Sequence, residues 1–252
     1  MAVSRPSFAA AEDKVLTVFA ASSLKEAFSR ITPAFERAHH LRVRFAFAGT
    51  QELRTQLEHG AQPDVFAAAD TKHTTALEKA GLIGPSTFFA QNRLAIIVPR
   101  GNPAGIRKFA DLPRSRRLVV GANEVPVGVY AAQAIAKAAN ALGAAFANDV
   151  NARVVSRELN VKQIVAKVLL GEADAGIVYE TDARAAAGKV ESIEIPAAFN
   201  VMADHPAAVV ANSKHGDLAR AFVDTLSSAW AQKELRALGF EPPAPAQARR
   251  RK

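Results

Sequence analysis

Short β-rich runs alternate with amphipathic helical stretches from Lys14 to Phe240, and no other feature of this sequence restricts its fold so tightly. LTVFA (Leu16 to Ala20) has the continuous apolar character of a buried strand, and RVRFAF (Arg42 to Phe47) alternates like a half-buried one. Between them, Leu24, Ala27, Phe28, Ile31, Phe35 and Ala38 recur at three- and four-residue spacing, which predicts a helix over 23–39. Helices are expected over 50–59 and 71–80, stopped by Gly60 and Gly81, with the strand DVFAAA (64–69) between them. The same grammar returns later. RLAIIVP (93–99), RLVVGA (117–122), AGIVY (175–179), VESIEI (190–195) and AAVVA (207–211) read as strands. Val127 to Leu142 and Asn160 to Leu170 read as helices, and further helices run to Gly239-Phe240.

Such alternation predicts an α/β chain of mostly parallel sheets covered by helices on both faces. A chain of 252 residues accommodates two such lobes. The expected division is 14–92 plus 202–241 for lobe 1 and 93–201 for lobe 2, with crossings near Gln91-Asn92 and Asn200–Asp204. Residues 1–13 form an N-terminal tail or the remnant of a truncated export signal, and 242–252 form a basic Pro/Ala/Arg tail. Ligands of such architectures sit between lobes, at the carboxyl ends of strands where helices begin.

Several chemistries are excluded at the level of motif. The chain has no cysteine, so thiolate metal sites, disulfides and thiol nucleophiles are absent. It contains no G-x-S-x-G, GxGxxG or GxxxxGK[ST] segment, and no nucleophile–base pair suggests an enzyme. The six histidines show no metal-binding spacing and read as solvated helix faces and ends. The net charge of +8 draws partly on Arg249, Arg250, Arg251 and Lys252. Aromatics are 7% and are not interleaved with basic residues, so no platform for nucleic-acid bases is provided.

What remains is a set of polar but uncharged strand-to-helix turns: AASSL (20–24), AGTQEL (48–53), EVPVG (124–128) and ELNVK (158–162). Each offers backbone N–H groups at the positive end of a helix, where an anion is favoured. Each also has a local reading. Ser23 with Glu26 fits a capping box, and Thr50 fits a plain N-cap. Asn160 with Gln163 reads as a cap. Val127 and Val161 have only main-chain N–H to offer, and Tyr179 ends an apolar strand as core or rim. A pocket of neutral N–H and O–H donors suits a fully ionised anion and rejects one that carries a proton without an acceptor.

Taken together, VFAASSLKEAF (18–28), FAGTQELRTQLEHGAQPDVFAAAD (47–70), VPVGVYA (125–131) and NVKQIVAKVLLGEADAGIVYETDA (160–183) resemble the periplasmic molybdate-binding proteins of ABC-type importers over nearly the whole chain. The resemblance implies a two-lobed type II periplasmic-binding-protein fold that closes about a hinge. It implies a monomer in the periplasm, with no cofactor and no catalysis, delivering molybdate or tungstate to a membrane permease and its ATPase. Carried over by position, the ligand donors are the hydroxyls and amides of Ser23 and Thr50, the amides of Val127 and Val161, and the phenol of Tyr179. The metal is bound as an oxyanion and not by side-chain ligands. Thr50 stands where many members have serine, which keeps sulfate or another tetrahedral oxyanion in play. The truncated signal leaves a cytoplasmic oxyanion sensor or store as a further alternative.

Overall fold

The computed structural model describes residues 14–245. The tail expected at 1–13, and residues 246–252 of the basic tail expected at 242–252, lie outside the described residues. In chain order the elements begin with β1 (Lys14–Ala21), one turn of 3-10 helix at Ser22–Leu24, α1 (Lys25–His39), β2 (Leu41–Ala48), α2 (Thr50–Glu58), β3 (Val65–Ala67), α3 (Thr71–Lys79) and β4 (Thr87–Asn92). After one residue the chain enters a second sheet with β5 (Leu94–Pro99), β6 (Leu118–Gly121), α4 (Pro126–Leu142), α5 (Ala144–Asn151), β7 (Val154–Glu158), α6 (Val161–Leu169), β8 (Ala175–Tyr179), α7 (Glu180–Ala185) and β9 (Val190–Glu194). It then returns to the first sheet as β10 (Ala203–Val209) and ends in α8 (Gly216–Leu226) and α9 (Ala229–Ala237).

The two sheets share one plan. Their strand orders are β2-β1-β3-β10-β4 and β7-β6-β8-β5-β9. In each, the first three strands are parallel and the fourth is antiparallel to both neighbours. The sheets are therefore mixed, although four strands of each five point the same way. The exceptions have a simple cause. β5 and β10 each begin where the chain crosses from the other lobe, so they run away from the cleft. The site-bearing strands run towards it.

Both faces of the first sheet are buried. Along β1, Val18 and Ala20 pack into the main core, while Phe19 points to a second cluster with Leu53, Leu57, Phe66 and Leu77. This period-2 split explains why a strand covered by helices on both faces reads as one apolar run. The stripe on α1 is fastened by rings. Phe28 meets Phe222 of α8 edge-on at 5.6 Å, and Phe35 meets the same ring at 5.1 Å. Such pairs add to burial itself.

Four strands and α-helices have no counterpart in the sequence reading, β4, α5, β7 and α7, and neither has the 3-10 helix at Phe109–Arg114. β7 (VVSRE) lies at a sheet edge and alternates between exposed and more buried positions, so its polar content hides it. α5 follows α4 after the single residue Gly143, whose φ of 96° breaks the helix.

The crossings are pinned by amides. Asn200 Oδ1 accepts from Leu94 N and Asn200 Nδ2 donates to Leu94 O, both at 2.9 Å. Asn92 Nδ2 donates to Thr181 Oγ1 at 2.9 Å. Among the described residues, no helix is long and apolar enough to cross a membrane.

Candidate functional site

The turns leaving β1, β2, β6 and β7 and the end of β8 meet in one small cavity of about 10 Å³ between the sheets. Ser23, Thr50, Val127, Val161 and Tyr179 all line it, and no lining residue is charged. The local structure at each turn decides which groups are free.

At the first turn, Ser23 lies inside the 3-10 turn and is 3% exposed. It does not cap α1: the N-cap is Leu24, without a side-chain bond. Glu26 is also committed elsewhere, to Lys162, so the capping-box reading of Ser23 fails. Its hydroxyl stands 3.5 Å from His205 Nε2. At the second turn, Gly49 is the N-cap of α2 and Thr50 is the first helical residue. Glu52 accepts from Gly49 N at 2.8 Å. Thr50 Oγ1 accepts from Ala69 N at 3.2 Å, an arrangement that leaves its hydroxyl proton available to donate.

In the other lobe, Pro126 is the first residue of α4 and has no N–H. Val127 therefore supplies the first amide of that helix, in the turn where no intrahelical acceptor exists. Val161 is the first residue of α6, and Asn160 caps it by accepting from Gln163 N at 3.2 Å. The cap reading of Asn160 is right, and it uses up the Gln163 amide, not that of Val161.

Tyr179 closes the set. It is 1% exposed, and its hydroxyl has no hydrogen-bond partner among the described residues. Burial above all, then the nearby Tyr130, Asp70 and Asp182, pushes its pKa well above the usual value. The phenol thus stays protonated and remains a donor. An unpaired buried hydroxyl costs about 1–3 kcal/mol, so this one is poised for a ligand acceptor.

Two histidines correct the expectation of solvated positions. His73 and His205 are 4% and 0% exposed. His205, on β10, backs the cavity with its ring 5.8 Å from that of Tyr179 and edge-on to it. Burial pushes its pKa down to about 4 from the ordinary 6.5. Between those values the unfolded chain holds this proton and the folded chain does not. Stability therefore falls as pH drops from 6.5 to about 4, by on the order of 3 kcal/mol in all. Asp182 acts in the opposite sense. Burial raises its pKa to about 6 from 3.8, so over that interval acidification favours the folded form. Urea melts of His205→Gln should show the acid loss removed and this opposite slope exposed.

Sequence reasoning missed His205, because one polar residue at the start of a strand gives no periodic signal. It also missed the contacts that join the lobes around the cavity. Gln51 Nε2 donates to Leu159 O at 2.8 Å, and His73 Nε2 lies 3.2 Å from Glu124 O. Among the described residues, no group of three or more His, Cys, Asp or Glu is placed to hold a metal ion.

Two lobes joined by a double crossing, with neutral donors from both meeting in the cleft, define a solute-binding protein of the type II periplasmic class. The chain belongs to the family described as bacterial extracellular solute-binding protein, whose model matches residues 16–241. Its relatives include the molybdate-binding protein ModA of Mycobacterium tuberculosis (strain ATCC 25618 / H37Rv), 40% identical over 231 residues, covering 90% of this chain and 85% of that protein. Among solved structures, the substrate-binding domain of a putative molybdenum ABC transporter from Clostridium difficile is 25% identical with a TM-score of 0.68, covering 92% of this chain and 100% of that one. The sulfate-binding protein SubI from Mycobacterium tuberculosis H37Rv shares the fold, with a TM-score of 0.82 at 24% identity, covering 94% of this chain and 90% of that one. The family is one of extracytoplasmic binding proteins of ABC-type transport systems, so the chain's role is capture and not catalysis.

Proposed function

We propose that this protein captures molybdate, and tungstate with it, and delivers the anion to the permease and ATPase of an ABC importer. Ser23 and Thr50 supply hydroxyls and amides from lobe 1. Val127 and Val161 supply amides, and Tyr179 its phenol, from lobe 2. The lobes divide at 14–92 plus 202–241 against 93–201, and the protein works as a periplasmic monomer. The observation that carries this reading is the fully buried, unpartnered hydroxyl of Tyr179 in a cavity that no charged residue lines. Neutral donors fixed in place replace the water shell of a dianion without a countercharge. Similarity to ModA at 40% identity supports molybdate as the anion.

Sulfate is the second reading, supported by the fold shared with SubI and by the methyl that Thr50 adds to the cavity wall. Calorimetry with molybdate, tungstate, sulfate and phosphate separates the two. Molybdate and tungstate should bind with similar affinity, and sulfate and phosphate at least ~100-fold more weakly, the worth of about 3 kcal/mol. Sulfate binding as tight as molybdate would overturn the assignment. Tyr179→Phe should weaken molybdate binding by about 1.5–3 kcal/mol, the range for a hydrogen bond to a charged group. An unchanged Kd would remove Tyr179 from the donor set.

A further inference from the structure

Among the described residues, three polar contacts tie the lobes together beside the cavity, and one of the three is ionic. Lys162 Nζ lies 2.8 and 2.7 Å from the two carboxylate oxygens of Glu26, and 2.8 Å from Asp182 Oδ1. Lys162 is on α6, next to Val161. Asp182 is on α7 in the same lobe, and its side chain is fully buried. Glu26 is on α1 in the opposite lobe, three residues beyond Ser23.

We propose that Lys162 is the positioning residue for cleft closure: its ammonium, anchored in lobe 2 by Asp182, grips Glu26 and draws the starts of α1 and α6 together around the anion. The inference rests on the oxyanion reading of the cavity and adds the group that sets how long the cavity stays shut.

The arrangement is asymmetric in a way that suits this role. The arm to Asp182 lies within one lobe and is shielded from water, so it persists when the lobes part. The arm to Glu26 spans the cleft, and the Glu26 side chain is 40% exposed. Opening breaks that arm and returns the carboxylate to water, so this pair, made through both carboxylate oxygens, is the contact that opposes opening. Engaging both carboxylates also holds the ammonium off the cavity wall, which leaves selection of the anion to neutral donors.

Glu26→Gln tests the proposal, because it cuts the cross-lobe arm and leaves the buried pair intact. Stopped-flow exchange with molybdate should show dissociation at least ~10-fold faster and association within ~3-fold of the parent. X-ray scattering of the ligand-free protein should show a larger radius of gyration, and the melting temperature should be preserved. The double variant Lys162→Met/Asp182→Asn removes the ammonium with its buried partner. It should dissociate as fast as Glu26→Gln, and adding Glu26→Gln to it should change nothing further. A parent-like dissociation rate and scattering profile in Glu26→Gln would overturn the clasp while leaving the oxyanion reading intact. If the parent binds no molybdate, the oxyanion reading falls, and the scattering comparison still decides whether the clasp exists.

Discussion

Gly49→Ala is expected to weaken oxyanion binding at least ~100-fold, about 3 kcal/mol, while leaving the ligand-free protein as stable as before. The backbone of Gly49 (φ −64°, ψ 143°) is one that any residue adopts, so alanine introduces no strain within lobe 1. The obstacle is across the cleft. A Cβ on Gly49 would stand 2.3 Å from the carbonyl oxygen of Leu159, which belongs to the other lobe. It would also meet the Gln51 amide, but that side chain can swing aside. The carbonyl cannot, and the lobes must part by about 1 Å or more to reach ordinary contact distance. Hydrogen bonds stretched that far are lost. The anion would then keep the donors of one lobe and lose those of the other. Calorimetry paired with thermal melts without ligand checks both halves of the expectation. Binding within ~3-fold of the parent would show that the lobes close without this contact.

Gly128→Ala should give the opposite signature, a loss of about 3 kcal/mol in folding stability. Here the added methyl would sit 2.2 Å from Ala122 O and 2.4 Å from Gly121 O, both backbone atoms of the same lobe. Gly121 faces the reciprocal problem, since a Cβ there would lie 2.7 Å from Gly128 N. The pair lets the first turn of α4, which carries the cavity-lining Val127, rest directly on the end of β6. No side-chain movement relieves the clash, so the helix start must shift or the lobe must loosen. A denaturant midpoint equal to the parent's would show that it shifts at no cost. Comparison of the two glycines separates what the lobes need in order to fold from what they need in order to meet.

The four polar turns were visible in the sequence because each combines a β-rich run, a short uncharged break and a helix start. Those are local patterns. The structure adds what local patterns cannot carry. The Ser23–Glu26 spacing is that of a capping box, yet Glu26 is claimed by Lys162, 136 positions further along the chain. Asn160 keeps its local role, accepting from Gln163 N at 3.2 Å. Gly49 reads as an unremarkable helix entry until Leu159 is brought against it. β7 escaped notice because an edge strand needs only one apolar partner and is free to be polar elsewhere. His205 escaped because a lone imidazole carries no sign of its burial.

The double passage between the sheets also fixes the order in which the molecule becomes complete during synthesis. Every strand of the second sheet lies within one unbroken stretch, from β5 to β9. The first sheet is different, because β10 inserts between β3 and β4. Until residues 203–209 are available, β4 has no strand to pair with, and the N-terminal segment waits with an unfilled slot. The later-encoded lobe is thus the first able to finish, and any premature stop before Ala203 leaves the earlier-encoded one split in two.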